Sequence, residues 1–213
     1  MEINDKKLSE IFKGHQPERI LPAPDKSSAV LVSLVEGEQG LDLLFEERIA
    51  TIDQGGEICY PGGRIQKGET PEEAAVRETT EELFVDAGDV QVIAPLNIVP
   101  GPGGAEITSY LGIIRNYQGT FSTDEVERMI RVPLAWFLEN EPEAYDADFV
   151  MMPEPDFPYH LIPNGRDYNF KNIHRRFYFY ETEDGDVIWG LTANLTVAFI
   201  RMLKRELGMP CGQ

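Results

Sequence analysis

Apolar residues dominate "SAVLVSLVE" (28–36) and the first half of "LDLLFEER" (41–48). The turn-like "GEQG" between them predicts an antiparallel strand pair near the start of a core sheet. A second pair is predicted in "VQVIAPLNIVP" (90–100) and "ITSYLGIIRN" (107–116), split by the "GPGG" turn at 101–104. Elsewhere the period lengthens. Residues 1–20 predict a short amphipathic helix before a proline-containing linker, and "TANLTVAFIRMLKREL" (192–207) predicts a closing helix. "DEVERMIRVPLAWFLE" (124–139) starts with acid and breaks at Pro133, and it predicts a helix followed by a second short one carrying Trp136 and Phe137. Residues 141–169 are proline-rich and predict an irregular covering segment, whereas the aromatic density of "RRFYFYE" (175–181) predicts a strand. Strands interleaved with helices give an α/β or α+β sandwich, with residues 28–207 as one domain, 1–27 as a helix and linker, and 208–213 as a tail.

A composition of 42% hydrophobic residues over 213 positions supports one well-buried core. Charge narrows the partners. Nineteen Lys and Arg against 37 Asp and Glu give a formal net charge of −18, which argues against a nucleic-acid backbone. An anionic substrate would need metal ions or a local cationic pocket. Neither an apolar signal core at the start nor a membrane-length apolar run is present, so the expectation is a cytoplasmic protein without a membrane partner. Cys59 and Cys211 are too far apart in sequence to suggest a disulfide framework, and Cys59 is expected to pack as a small apolar residue. His15 and His160 are isolated and are not proposed as ligands.

One helix concentrates acid. Thr70, Pro71 and Glu73 in "GETPEEAAVRETTEEL" (68–83) supply a hydroxyl cap, a proline at the first helical position and the partner acid of a capping box. The helix is expected to begin at residue 71. At about 100° per residue, Ala75, Val76, Thr79 and Leu83 share one stripe, and Glu78, Glu81 and Glu82 cluster on the adjoining one. Like charges at these spacings destabilise a helix by a few tenths of a kcal/mol per pair. A divalent cation would reverse that sign, because carboxylate oxygens suit hard ions such as Mg²⁺ or Mn²⁺. Arg77, at the edge of the trio, could orient a carboxylate by a forked hydrogen bond. A solvated acidic face is the plain alternative, and the wider spacing decides against it.

That spacing runs Gly63, Glu69, Arg77-Glu78, Glu81-Glu82, and it resembles the Nudix box. Two positions depart from the pattern: Thr79 stands for an aliphatic, and Phe84 stands where the box has glycine, followed by the matching Val85. Thr79 can still pack its methyl, whereas Phe84 resists the left-handed helix end that glycine allows. The expectation is that Phe84 continues the apolar stripe past Leu83, so that the helix ends without a left-handed residue. The resemblance implies a mixed sheet between helices, an α/β/α sandwich, and hydrolysis of a nucleoside diphosphate linked to another group. It implies metal binding by Glu78, Glu81 and Glu82 with the Gly63 carbonyl. Glu69 would support the loop or an outer-shell water, and Arg77 would hold the glutamates. Ions at such a site neutralise the pyrophosphate and lower the pKa of a bound water.

Upstream, "LLFEERIATIDQGGEICYPGG" (43–63) resembles the signature of the coenzyme A pyrophosphatases within that family. Leu43, Leu44, Gly56, Pro61, Gly62 and Gly63 match, with Tyr60 for phenylalanine. Ile52 replaces an arginine, and Arg48 stands one residue out of register, from where a local bulge could restore the cation. "STDEVERMIRVPLAWFLE" (122–139) and "RRFYFYETEDGDVIWGLTANLTVAFIRML" (175–203) resemble later segments of the same subfamily. The implied substrate is coenzyme A or an acyl-coenzyme A, cut to 3′,5′-ADP and 4′-phosphopantetheine. ADP-ribose or another nucleotide conjugate, and a non-catalytic Nudix-fold binding module, stay open. Glu125 is a candidate base, with a helix-capping acid as the alternative. Arg48, Arg64, Arg175 and Arg176 are the candidate contacts to the anionic substrate, the last two forming a cationic group with His174. Trp189 reads as an aromatic plug against the closing helix in preference to a substrate stacker. A homodimer is left open.

Overall fold

The structure is a computed structural model that describes residues 27–38, 40–52, 54–101 and 105–210. The expected helix within residues 1–20 lies outside the described residues. Strands β1 (Ser28–Gly37) and β2 (Gly40–Arg48) form the expected antiparallel pair, with Ser33 opposite Leu44. On the other edge of β1 runs β6 (Glu106–Ile114), parallel to it, and β5 (Val90–Pro100) pairs antiparallel with β6. Short β3 (Ile58–Cys59) and β4 (Gly62–Arg64) join β2 and β1, and β7 (Val126–Pro133) pairs with β2 to complete a mixed seven-stranded sheet.

Helices cover both faces of this sheet, as the expected sandwich requires. Helix α1 (Pro71–Leu83) lies on one face, where Ala74, Ala75 and Leu83 pack with Ala29, Leu31, Leu44 and Ile114. On the other face, α2 (Leu134–Glu139) and α3 (Gly190–Glu206) pack Phe137, Leu195, Phe199 and Ile200 against Val32, Leu43 and Phe45. The alternation of β1 thereby feeds two cores at once. Tyr60 links the second core to the turn that follows it: its ring lies 4.7 Å from that of Phe45, and its hydroxyl shares a 2.8 Å hydrogen bond with Thr196 of α3.

Two elements differ from expectation. Residues 126–133 are strand β7 instead of a helix, because Val126, Ile130 and Val132 are buried against β2 while Glu127, Arg128 and Arg131 face outward. The acid-rich start imitates a helix cap, but pairing with β2 satisfies the backbone instead. Within the irregular segment, residues 143–149 form β8 (Glu143–Phe149), which pairs with β9 (Ile173–Glu181) and through it with β10 (Val187–Trp189) in a separate three-stranded sheet.

Candidate active site

Two glycines carry the backbone up to helix α1. Gly62 has φ 151°, and a Cβ there would meet the Ala29 carbonyl oxygen at 2.4 Å, because β4 is pressed against β1. A Cβ on Gly63 would stand 2.5 Å from the carboxyl carbon of Glu78. The first glycine lets the chain turn, and the second leaves room for a glutamate. The Gly62 N–H then donates to Glu82 Oε2 at 2.9 Å. The helix itself starts as expected, with Thr70 and Glu73 exchanging both capping-box hydrogen bonds and Pro71 in the first turn.

Arg77 is the hub of the outer side. Its Nε and Nη2 fork onto both oxygens of Glu69 at 2.8 and 3.1 Å, its Nη1 reaches Glu78 at 2.9 Å and Glu81 at 3.1 Å, and Nη2 also donates to the Arg64 carbonyl. One planar cation thus ties the loop carboxylate Glu69 to two acids of the helix. The hydrogen bonds from Arg77, with one from the Gln66 N–H, hold the Glu69 carboxyl below the ordinary range. Glu78 goes the other way: burial raises it despite the guanidinium beside it.

Beneath the helix the balance of charge changes. Glu82 is 4% exposed and Glu46, on β2, is 1% exposed. Burial pushes both carboxyls well above the ordinary range, and nearby acids add to it: Glu125 and Glu78 for Glu46, and Glu46, Glu78 and Glu125 for Glu82. Glu46 Oε1 accepts the Cys59 thiol at 3.3 Å, whereas its Oε2 has no hydrogen-bond partner. Cys59 is therefore a hydrogen-bond donor rather than the simple apolar filler the sequence suggests. Glu125 interacts electrostatically with Glu46, Glu78 and Glu82. It precedes β7 in a loop, not a helix, and its carbonyl accepts from the Ile49 N–H. The pairing of β2 with β7 slips between Glu47 and Arg48, and half-buried Arg48 there interacts with Cys59, Glu46 and Glu82.

Glu46 has no expected role from the sequence, and Cys59 no polar one. The available signal was parity: Glu46 shares the inward face of β2 with Leu44, where a charged residue is out of place. Phe84 corrects another expectation. It does adopt the left-handed conformation, at φ 51° and ψ 46°, and its side chain is 64% exposed instead of continuing the stripe. The helix end tolerates it because the Glu82 carbonyl accepts from the Ser122 N–H at 2.7 Å and the Leu83 carbonyl from the Thr120 hydroxyl at 2.6 Å. Thr79 is fully buried, with its hydroxyl bonded to the Ala75 carbonyl.

The remaining cations divide. Arg64 is exposed on β4, adjoining the glycine pair. Arg175 and Arg176 are not brought to this group: Arg175 lies 5.0 Å over the Phe149 ring, and Arg176 forks onto Asp146, both contacts within the three-stranded sheet. His174 pairs with Asp148 there. Trp189 stacks on Phe179 at 6.0 Å and is 40% exposed at the start of α3.

Glu46 adds a buried carboxylate oxygen without a hydrogen-bond partner to the acids of α1, and an all-oxygen donor set of this chemistry suits a hard divalent cation. Among the described residues, no three acidic, histidine or cysteine side chains converge as a ready-made cage, and Arg77 is bonded to Glu78 and Glu81. No helix among the described residues is long and apolar enough to cross a membrane.

Comparison with known proteins agrees with this arrangement. The family profile described as NUDIX domain matches residues 25–154, more than half of the chain. "Nudix hydrolase 3" of Caenorhabditis elegans is 33% identical over 138 residues, 61% of this chain and 57% of that protein. "Peroxisomal coenzyme A diphosphatase NUDT7" of Mus musculus is 29% identical over 174 residues, 79% of this chain and 66% of that protein. The chain spans less than two thirds of the length of either relative. A solved Nudix hydrolase from M. smegmatis, RenU, aligns with 53% of this chain and 73% of its own at 25% identity and a TM-score of 0.43.

Proposed function

The chain belongs to the Nudix family, and from that premise we propose that it hydrolyses the pyrophosphate of a nucleoside-diphosphate-linked substrate, with coenzyme A or an acyl-coenzyme A as that substrate. The observation that carries the reading is the packing of the Gly62–Gly63 turn against Glu78 and Glu82, with Arg77 bracing the outer acids. Glu78, Glu81 and Glu82, with the Gly63 carbonyl, would hold Mg²⁺ or Mn²⁺. A bound ion would supply charge neutralisation at the pyrophosphate and a lower pKa for an attacking water. Arg77 keeps Glu78 and Glu81 oriented, and Arg48 and Arg64 offer positive charge to the substrate's phosphates. Glu125 accepts the proton of the water whose oxygen bonds to phosphorus as the bridging P–O bond breaks. The products are 3′,5′-ADP and (acyl-)4′-phosphopantetheine.

The coenzyme A assignment is supported by the match to a relative named coenzyme A diphosphatase and by the upstream residues Leu43, Leu44, Gly56 and Pro61 to Gly63. One observation favours a second reading, ADP-ribose or another conjugate without a 3′-phosphate. Ile52 carries no charge, Arg175 and Arg176 contact residues of β8, and Arg48 already interacts with Cys59, Glu46 and Glu82. Chromatography of products from coenzyme A, dephospho-coenzyme A and ADP-ribose with Mn²⁺ separates the readings. Coenzyme A should be cut faster than its dephospho form, and Arg48→Ala should erase the difference. Cleavage of ADP-ribose alone would favour the second reading, and silence on the whole panel would favour a binding module.

A further inference from the structure

The four-residue spacing of the box glutamates accounts for the helix side of the site, but a further carboxylate arrives from the sheet. Glu46 projects from β2 on the face that carries Leu44 towards α1 and is 1% exposed. Its Oε1 is held by the Cys59 thiol at 3.3 Å and its Oε2 has no hydrogen-bond partner; Arg48, Glu125 and Glu78 are the charged groups that act on it, and its own charge in turn raises the Glu82 carboxyl. Leaving a carboxylate buried with one oxygen unpaired is strongly unfavourable, and a second buried carboxylate nearby makes the arrangement worse. An apolar residue at this position, continuing the Leu44 stripe, would pack without that penalty. Arg48 does not remove it, since it also faces Glu82 and the Cys59 thiol.

We propose that Glu46 is a ligand of the divalent ion, its free Oε2 supplying an oxygen from the sheet while Glu78 and Glu82 supply theirs from the helix. Cys59 acts through Glu46 as a positioning residue, fixing Oε1 so that Oε2 faces the helix acids. This rests on the metal-dependent reading above, and it adds to the box a ligand that the box pattern does not contain. A hard cation with three carboxylates around it would convert the repulsion among them into binding energy, which gives the buried charge a physical reason.

Calorimetric titration with Mn²⁺ of the wild-type chain and of Glu46→Gln, Glu78→Gln and the exposed control Glu139→Gln tests the assignment without reference to turnover. Wild type and Glu139→Gln should bind alike, and Glu46→Gln should bind about tenfold to a hundredfold more weakly. In EDTA, Glu46→Gln should melt at or above the wild-type temperature, because the amide carries no buried charge. Glu46→Asp, which keeps the charge but shortens the reach by one methylene, should lose affinity by a smaller factor, and it carries the test if Glu46→Gln does not fold. Wild-type affinity in the Glu46 variants, with binding lost in Glu78→Gln, would overturn the role of Glu46 alone. Absence of Mn²⁺ binding in the wild type would overturn it together with the metal-dependent reading.

Discussion

Two groups of carboxylates meet at helix α1 and are treated in opposite ways. On the outer side, Glu69 and Glu81 share one guanidinium, and the Glu69 carboxyl is held low by its hydrogen bonds to Arg77. On the inner side, Glu46 and Glu82 are buried with a thiol and a backbone N–H as their hydrogen-bond donors, and burial drives both upward. Glu78 joins the groups, touching Arg77 while being raised by burial. The difference separates a braced side, from which Glu81 would still reach an ion, from an unbraced one. Outer acids are bonded directly to a guanidinium, whereas the inner acids are raised by burial even with half-buried Arg48 acting on them, which suits them to an ion from solution.

The comparison breaks most sharply if the inner acids are neutralised. Glu82→Gln and Glu78→Gln should each lower hydrolysis on the order of a hundredfold to a thousandfold in a folded protein, read by product chromatography and circular dichroism. Near-normal turnover in either would remove the inner group from the chemistry. Arg77→Ala should follow, with a loss on the order of tenfold to a hundredfold, because Glu69, Glu78 and Glu81 lose their shared donor. Arg77→Lys should rescue little, since an ammonium cannot fork onto Glu69 while reaching Glu78 and Glu81.

Acid–base behaviour sharpens the same contrast. The inner carboxyls have folded-state pKa values above those of the unfolded chain, so the folded form holds more protons in that window. Stability present below the unfolded value is lost as pH rises through the folded one. In EDTA the melting temperature should therefore fall by about 5 °C between about pH 5 and pH 8, and Glu82→Gln should flatten the slope. Unchanged slope in that variant would contradict the burial argument.

The smallest effect is at the helix exit. Phe84→Gly should raise the melting temperature by about 2–4 °C with turnover unchanged, because glycine removes a left-handed strain of about 1 kcal/mol and Phe84 buries little. A lower melting temperature would show that the exposed ring contributes contacts of its own.

Much of the outer group was legible because its signals are local. Thr70, Pro71 and Glu73 announce the cap, and the spacing from Gly63 to Glu82 carries the box, so helix α1 and its acids follow from short-range rules. The β1–β2 hairpin was equally plain from its two apolar runs and the turn between them. What escaped depends on partners distant in sequence. β7 reads as a helix until β2 supplies its ladder, and β8, exposed along its whole length, has no buried face to betray it. Glu46 is the instructive case: a polar residue in a strand is ordinarily assigned to the solvent face, and only the position of Leu44 places it inward. Phe84 shows the converse, a local rule overridden when Thr120 and Ser122 satisfy the carbonyls that a glycine turn would otherwise serve.

Anomalous diffraction from crystals grown with Mn²⁺ tests the contrast between the two groups most directly. The account predicts a peak at bonding distance, about 2.0–2.6 Å, from carboxylate oxygens of Glu46, Glu78 and Glu82, with Arg77 still forked onto Glu69. A peak confined to the Glu69–Glu81 side, or none near the inner carboxylates at saturating Mn²⁺, would contradict it.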